Sequence, residues 1–381
     1  PAAPILQPLG YEVWSWQRWR EITGEQRPSL KTAQSVRADL VELLPKERIS
    51  STDWKARTAE IRKTLDVFVG TPPAAAPPLD AQTESESTLE GGIVRRRFRF
   101  QVEPGEFVPA YLLIPPGSGK LPAVVCPHQT TQYGKDEPAG IRGNPRLAMA
   151  LALARRGYVT LTYDAACFGE RHTPATGHYG EALAFYEKHP RWSLMGKMTW
   201  DLSRAVDYLL QQPFVDPARI ASAGHSHGGY TTWSSMAYDE RISVGVSSCG
   251  YDTIRYDGNP FRWSHATALL PRLGFYLSSP YINMRNYVGV PDSEVIEVPF
   301  DVHQILALAA PRPLFLTASD DDHIFPNAGW STRQTEARLR PVYELFHASE
   351  KFETLYFRGG HGFPPENETR AFAFIDRWLR P

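Results

Sequence analysis

The spacing of apolar residues indicates that the first part of the chain is helical. Residues 29–43 and 52–69 carry apolar side chains at helical intervals, and in the second segment one stripe runs from Trp54 to Phe68. A proline-rich stretch, TPPAAAPPLD, then breaks the helical pattern, and the polar stretch AQTESEST follows it. We therefore predict that residues 1–90 form a helical N-terminal extension packed on the main body.

From residue 91 onward, short apolar strands replace the helical pattern. The stretches GGIVRRRFRFQV and FVPAYLLIPP alternate with a period of two, which predicts an antiparallel hairpin. Further strands are predicted at 122–128, 158–164, 219–224, 243–250, 313–320 and 352–360, and helices at 145–156, 198–212, from about 228, 333–348 and 366–379. This alternation predicts an α/β fold with a mostly parallel, doubly wound sheet and helices on both faces.

The predicted catalytic domain, residues 91–381, contains two insertions, near 165–197 and 251–300. Both are rich in aromatic residues and arginine. In a loop at the end of a strand, such residues form the wall of a binding pocket in some proteins and pack under the loop in others. Composition alone leaves both interpretations open.

Net charge and composition narrow the class of partner. The chain has 41 basic and 42 acidic side chains, so we expect neither nucleic acid nor a membrane surface as partner, and a neutral small molecule is favoured. No apolar run approaches the roughly 18 residues of a membrane span. The three cysteines form neither a disulfide framework nor a zinc set. A chain that starts at Pro1 rather than Met favours a processed N-terminus, and therefore a secreted or periplasmic protein.

The stretch GHSHGGY places a serine between two glycines at the junction of a strand and a helix. It follows the predicted strand 219–224 and opens the next helix, which is the setting of a nucleophile elbow. In such an elbow a strained turn projects the serine Oγ, and side chains at the glycine positions would collide with the crossing strand and helix. We predict that Ser226 is a nucleophile, with a purely structural turn as the alternative.

The same stretch also contains an H-x-H pattern. In a strand, His225 and His227 would point to one face, where a metal ion could bind. Such a site needs further ligands nearby, and the following positions are Gly228 and Gly229. Neither H-E-x-x-H nor paired C-x-x-C motifs occur in the chain. We therefore predict no metal and no cofactor.

A nucleophilic serine requires a base and a carboxylate that orients the base. In doubly wound hydrolases these residues follow the serine in the order acid, then histidine. His361, in GGHGF, and the acidic stretch SDDDHIFP each come directly after a predicted strand. The carboxyl ends of parallel strands are where catalytic groups collect, so we predict His361 as the base. Position leaves the acid open among Asp320, Asp321 and Asp322.

From about residue 92 onward the chain resembles the α/β-hydrolase superfamily, in its dienelactone-hydrolase-like and acetyl-xylan-esterase-like branch. The motifs that carry this resemblance are CPHQTTQYGKDEPAG, YDAACFGERH, DLSRAVDYLLQQPFVDPARIASAGHSHGGY, LAAPRPLFLTASDDDHIFP and RGGHGF. The resemblance implies an α/β-hydrolase fold and a cofactor-free serine esterase. The D-x-x-x-P motif of relatives maps onto Asp322 and Pro326, which implies that Asp322 is the acid. Dienelactone hydrolases proper have a cysteine at the elbow, so Ser226 implies the esterase-like members.

The oxyanion hole is predicted from two backbone N–H groups. One belongs to His227, the residue after the nucleophile, and the other to the loop after strand 122–128. Relatives often have H-G-x in that loop, and the third residue donates. The corresponding residues here are His128, Gln129 and Thr130. The resemblance therefore implies Thr130 as the donor, with Gln129 as the alternative.

The predicted function is hydrolysis of carboxylic esters through an acyl-enzyme, on small acyl esters such as acetylated carbohydrates. One alternative is a serine peptidase of the prolyl-oligopeptidase type. Those enzymes carry a β-propeller before the catalytic domain, and the first 90 or so residues are too few for its blades. The other alternative is an inactive binding protein of the same fold. The intact set of Ser226, Asp322 and His361 argues against it.

Overall fold

The computed structural model describes residues 14–30, 33–36, 43–44, 50–173, 179–254, 267–276 and 295–380. Its β-strands are β1 (Ala33–Val36), β2 (Gln82–Thr88), β3 (Val94–Glu103), β4 (Glu106–Ile114), β5 (Leu121–Val125), β6 (Val159–Tyr163), β7 (Val215–His225), β8 (Val244–Ser248), β9 (Val295–Val298), β10 (Leu314–Ser319) and β11 (Phe352–Phe357). Its α-helices are α1 (Trp16–Thr23), α2 (Ser51–Val69), α3 (Met149–Arg155), α4 (Ala182–Lys188), α5 (Leu194–Leu210), α6 (His227–Tyr238), α7 (Val302–Ala307), α8 (Ala328–Leu345) and α9 (Pro365–Leu379).

The main sheet has nine strands, in the order β11-β10-β8-β7-β5-β6-β4-β3-β2. The six strands from β11 to β6 run parallel to one another, and β4, β3 and β2 extend the sheet in antiparallel fashion. The predicted hairpin is the β3–β4 pair. The prediction of a mostly parallel α/β sheet is confirmed.

Helices cover both faces of the sheet because alternate strand residues point to opposite sides. In β5, Ala123 and Val125 belong to one hydrophobic core, whereas Val124 belongs to a second core on the other face. The first core also contains buried residues of α5 and α6, and the second contains those of α3 and α9. Two separate cores around one sheet are what a doubly wound fold requires.

Strand β2 differs from the helical character predicted for the first 90 residues. It pairs antiparallel with β3 at the edge of the main sheet, and most of its residues are exposed. Cross-strand polar contacts accompany the backbone pairing, such as the ion pairs Arg96–Glu86, at 2.6 Å, and Arg97–Glu84, at 2.7 Å. Because neither face of this edge strand is apolar, it lacks the alternation by which strands are predicted. The division of the chain at residue 90 stays a prediction.

The predicted helix over 29–43 is wrong at its centre. Residues Ala33–Val36 form β1, which pairs antiparallel with β9 in a separate two-stranded sheet. Backbone pairing with a segment far away in the sequence outweighs the local helical spacing here. The rest of that segment lies mostly outside the described residues, as does most of the predicted insertion at 251–300.

Helix α2 forms where the sequence predicts it. Ser50 caps its first turn in a capping box, in which Asp53 N donates to Ser50 Oγ at 3.2 Å and Ser50 N donates to Asp53 Oδ2 at 2.8 Å. The predicted stripe from Trp54 to Phe68 is buried and joins the same hydrophobic core as α5 and α6. None of the helices in the described residues is long and apolar enough to cross a membrane.

A buried network of charges joins the segment 165–197 to the β3–β4 hairpin. Arg171 donates to Asp201 at 2.7 Å and to Glu106 at 2.5 Å, and Lys197 contacts Glu103 at 2.6 Å and Asp201 at 3.1 Å. Burial opposes the charge of Arg171, but the carboxylates of Asp201 and Glu106 outweigh it and raise the pKa of Arg171. The ion pairs of Arg171 therefore fix this segment against α5 and the hairpin.

Candidate active site

Ser226 occupies a sharp turn between β7 and α6. Its backbone angles are φ 53° and ψ −119°, a conformation that non-glycine residues adopt at a cost. Ser226 N donates to the carbonyl of Ser248 at 2.7 Å, and Gly229 N donates to the Ser226 carbonyl at 2.8 Å. These bonds hold the strained turn between the ends of β7 and β8. The predicted strand–turn–helix setting of a nucleophile elbow is present.

The elbow requires glycine because two backbones approach each other closely. A Cβ atom at Gly224 would lie 2.4 Å from the Gly228 carbonyl carbon, and one at Gly228 would lie 2.1 Å from the carbonyl oxygen of Pro127. Both distances are far below van der Waals contact. The glycines thus bring the end of β5 and the loop after it directly against the elbow.

The first two aspartates of the stretch 320–322 have structural partners. Asp320 forms an ion pair with Arg333, at 2.6 Å. Asp321 Oδ1 accepts hydrogen bonds from Gly359 N at 2.9 Å and from Gly360 N at 3.0 Å. These two backbone donors lower the pKa of Asp321 and tie the acidic loop to the loop that carries the histidine.

Asp322 has a different environment. Its Oδ2 accepts a hydrogen bond from His361 Nδ1 at 2.8 Å, and its Oδ1 accepts from Ile324 N at 2.8 Å and from Phe325 N at 2.9 Å. The carboxylate side chain has no exposed surface, and the ring of Phe325 stacks on the ring of His361 with centroids 5.2 Å apart. Asp322 is therefore held so that it orients one tautomer of His361, with the proton on Nδ1.

His361 and Ser226 both lie at the carboxyl edge of the sheet, after β11 and β7. The ring of His361 lies 4.8 Å from that of His225, the residue before the serine. Within the described part of the chain, no hydrogen bond joins Ser226 Oγ to His361 Nε2. Catalytic hydrogen bonds of free enzymes are often long and tighten when substrate binds, so this geometry is compatible with a serine–histidine relay.

The loop after β5 contacts the elbow through histidines. His227 Nδ1 donates to the carbonyl of His128 at 3.3 Å. His128 in turn donates from Nδ1 to the carbonyl of Gln129 at 2.6 Å, and its Nε2 accepts from Ala165 N at 3.1 Å. Both ring nitrogens of His128 thus hold the backbone of this loop beside the first turn of α6. These contacts do not choose between Thr130 and Gln129, so both donors, like His227 N, stay predictions.

The two histidines of the H-x-H pattern face different parts of the protein. His225 ends β7 and its Nδ1 lies 3.1 Å from Ser248 Oγ, whereas the ring of His227 packs 5.0 Å from that of Phe168. Burial, with a smaller contribution from His361, lowers the pKa of His225 well below its ordinary value. A neutral, buried His225 beside the elbow fits a packing residue.

The sequence does not predict the position of Cys249. It follows β8 directly, has φ 43°, and its Sγ lies close to Asp322 and His361. The available indication was its place after a parallel strand, at the same edge of the sheet as Asp322 and His361. Cys126, Cys167 and Cys249 are all buried free thiols.

The chain is similar to known esterases. The family model described as "Glucuronyl esterase, fungi" matches residues 123–346, more than half of the chain. A relative from Phanerochaete carnosa, a 4-O-methyl-glucuronoyl methylesterase, is 24% identical over 345 residues, which cover 87% of this chain and 77% of that protein. The provisionally named hydrolase YtaP of Bacillus subtilis is 27% identical over 326 residues, which cover 84% of this chain and 99% of that protein.

A solved structure supports the fold. The glucuronoyl esterase from Teredinibacter turnerae has a TM-score of 0.68 and 18% identity, and the match covers 95% of this chain and 99% of that chain. The predicted resemblance to α/β-hydrolase esterases is confirmed, whereas its dienelactone-hydrolase-like part stays a prediction. Because the family model matches more than half of the chain, this protein belongs to the glucuronyl esterase family and is a carboxylic ester hydrolase.

Proposed function

We propose that the protein is a serine esterase that hydrolyses carbohydrate esters through an acyl-enzyme. Ser226 is the nucleophile, His361 the general base and Asp322 the carboxylate that orients His361. The observation that carries this proposal is the 2.8 Å hydrogen bond from His361 Nδ1 to the buried Asp322, beside the strained turn that holds Ser226. That arrangement supports a covalent mechanism with a nucleophile, a base and an orienting group.

In the first half of the reaction, Ser226 Oγ attacks the ester carbonyl carbon while His361 Nε2 takes its proton. The proton on Nδ1 stays with the imidazole, and the Asp322 carboxylate stabilises the imidazolium that forms. His361 then donates the Nε2 proton to the leaving alcohol, and the acyl group stays on Ser226. In the second half, His361 Nε2 takes a proton from a water molecule, which attacks the acyl carbon. The same nitrogen then returns that proton to Ser226 Oγ as the bond to the acyl group breaks and the acid leaves.

The negative oxygen of the tetrahedral intermediate requires donors close to Ser226. We propose the backbone N–H of His227 and one from Thr130, with Gln129 as the alternative. His227 is the first residue of α6, where the helix dipole favours negative charge. The hydrogen bond from His227 Nδ1 to the carbonyl of His128 holds the loop after β5, which contains Thr130 and Gln129, beside His227. Two such preorganised donors contribute about 3 kcal/mol or more each in known hydrolases.

Two kinds of carbohydrate ester are compatible with this chemistry, and they differ in which side of the ester bond the sugar occupies. In an acetylated sugar, as predicted from the sequence, the sugar is the alcohol. In a uronoyl ester, the sugar acid is the acyl group, and it would be the part bound to Ser226. Two relatives carry the names of glucuronoyl esterases, so we propose the uronoyl ester as the preferred substrate. Such an ester is uncharged, consistent with a chain whose charges nearly cancel.

A substrate panel tests the proposal. We would measure kcat/KM for an alkyl ester of glucuronic acid, for an acetylated xylose, for acetyl, butyryl and octanoyl esters of one leaving group, and for a prolyl amide. The uronoyl ester should have the highest kcat/KM, and Ser226→Ala should abolish every activity. A higher value for the acetylated sugar would place the sugar on the alcohol side. A higher kcat/KM for the prolyl amide than for the esters would favour the peptidase alternative. A kcat/KM that increases from the acetyl to the octanoyl ester would indicate a lipase-like pocket.

A further inference from the structure

Three side chains at the rim of the sheet form a compact group of potential metal ligands. Cys249 follows β8, Asp322 follows β10 and His361 follows β11. Because these three parallel strands are neighbours, the three residues lie close together at the carboxyl edge of the sheet. One thiol, one carboxylate oxygen and one imidazole nitrogen lie within 4.8 Å of one another. In the part of the chain that the structure describes, this is the one group of three such residues at that spacing.

The chemistry of the group suits a soft divalent cation. Thiolate, imidazole and carboxylate are the usual ligands of zinc, which binds them at about 2.0–2.3 Å. Ligand atoms already within 4.8 Å of one another reach a common ion after small rotations of their side chains. Three protein ligands also leave the fourth tetrahedral position open to water. Mg²⁺, a hard cation that prefers six oxygen ligands, does not suit this group.

We propose that Cys249, Asp322 and His361 form an inhibitory binding site for Zn²⁺ or Cd²⁺. The ion is not a cofactor, because it occupies two of the residues that we propose for the catalytic relay. The third ligand, Cys249, has no role in that relay. Its thiol adds the third ligand that the Asp322–His361 pair lacks.

Binding would stop catalysis by changing the tautomer of His361. The nitrogen next to Asp322 is Nδ1, which carries the ring proton in the hydrogen bond of 2.8 Å. When the ion takes Nδ1, the ring proton moves to Nε2, and Nε2 can no longer accept the proton of Ser226. The thiol of Cys249 loses its own proton to solvent when Sγ binds the ion. Burial raises the pKa of this thiol, so one proton is released for each ion bound at neutral pH.

The other two cysteines provide matched controls. Cys126 and Cys167 are buried free thiols like Cys249, but neither belongs to a group of three potential ligands in the described residues. Cys126 lies at the end of β5 in the second hydrophobic core. Replacing either one removes a thiol without altering the group at the rim.

The first experiment measures inhibition. The purified protein is treated with EDTA, the chelator is removed, and ester hydrolysis is measured against increasing ZnCl₂, CdCl₂ and MgCl₂. Zn²⁺ and Cd²⁺ should inhibit reversibly, and Mg²⁺ should not. Cys249→Ala should stay active and should raise the inhibitory concentration of Zn²⁺ by at least about 10-fold, whereas Cys126→Ala should not change it. Cys249→Ser, which keeps the size of the side chain, should give an intermediate value.

The second experiment measures binding itself, by titration calorimetry with ZnCl₂. One ion should bind to each chain of the wild type, and Cys249→Ala should lose this binding. The inhibition depends on the proposed roles of Asp322 and His361, whereas the binding does not, so the two proposals fail separately. Equal inhibition of the wild type and Cys249→Ala, or no stoichiometric binding by the wild type, would overturn the site.

Discussion

The Asp322–His361 pair and the ion-pair network around Asp201 are two groups of charged residues that differ in composition and in contacts. In the Asp322–His361 pair one carboxylate faces one imidazole at 2.8 Å, and the side chain of His361 is 9% exposed. In the network of Arg171, Lys197 and Asp201, two cations share one carboxylate, and the side chains of Lys197 and Asp201 are at most 1% exposed. We propose that the first group transfers a proton, whereas the ion pairs of the second group join separate segments of the chain.

The supporting contacts differ in the same way. Asp322 accepts two backbone N–H groups from its own loop, which fix the carboxylate without adding a second cation. In the network every carboxylate faces one or more cations, and Arg171 joins the segment 165–197 to the hairpin. We therefore expect mutations in the first group to reduce activity without unfolding the protein, and those in the second to do the reverse.

The largest effect is expected at the nucleophile. Ser226→Ala should reduce kcat for the preferred ester by about 10⁶-fold, as loss of a catalytic serine does in other hydrolases. The folded state should be retained, because alanine keeps the backbone of the turn, so the melting temperature serves as the control. A folded variant with substantial ester hydrolysis would show that the nucleophile lies elsewhere.

The second effect separates the three adjacent aspartates. Asp322→Asn should reduce kcat by about 10⁴-fold, because an amide leaves His361 without its orienting carboxylate. Asp320→Asn is the matched control and should keep most of the activity, since Asp320 pairs with Arg333. Asp321→Asn should lie between them, because it weakens the bonds to Gly359 and Gly360. If Asp321→Asn proved the most damaging, the acid would be one residue earlier.

The third effect concerns stability. Arg171→Met should reduce the free energy of unfolding by about 3–5 kcal/mol, because it leaves the buried Asp201 and the half-buried Glu106 with too little compensating charge. The value of kcat measured below the unfolding transition should change little. Arg333→Met removes an exposed ion pair with Asp320 and should cost at most about 1 kcal/mol. Denaturant unfolding of both variants provides the measurement, and equal losses would contradict the assignment of the network to stability.

The sequence predicted those features whose residues lie close together along the chain, and it missed those that depend on contacts between distant segments. The elbow is local: a strand, a serine between glycines and a helix lie within one short stretch, and the structure has each part where it was expected. Strand β2 was missed because both its faces are polar at a sheet edge. Cys249 was missed because its proximity to Asp322 and His361 depends on the order of strands β8, β10 and β11, which no spacing along the chain contains.

The acid illustrates an intermediate case. Three consecutive aspartates are equivalent by position, and only the resemblance to known hydrolases favoured Asp322 in advance. In three dimensions they differ completely, since one pairs with Arg333, one binds two backbone N–H groups and one faces His361. Side-chain direction at the end of a strand is set by the turn that follows, and that turn is not encoded in a periodic pattern.

The central claim, that Ser226 forms the covalent bond to the acyl group, is tested most directly by labelling. The purified protein is treated with a fluorophosphonate, which reacts with activated serines, and the adduct is located by mass spectrometry of peptides. We predict one label per chain, on the peptide that contains Ser226, and its loss in a folded Ser226→Ala variant. Undiminished labelling of that variant, or an adduct on another serine, would contradict the account.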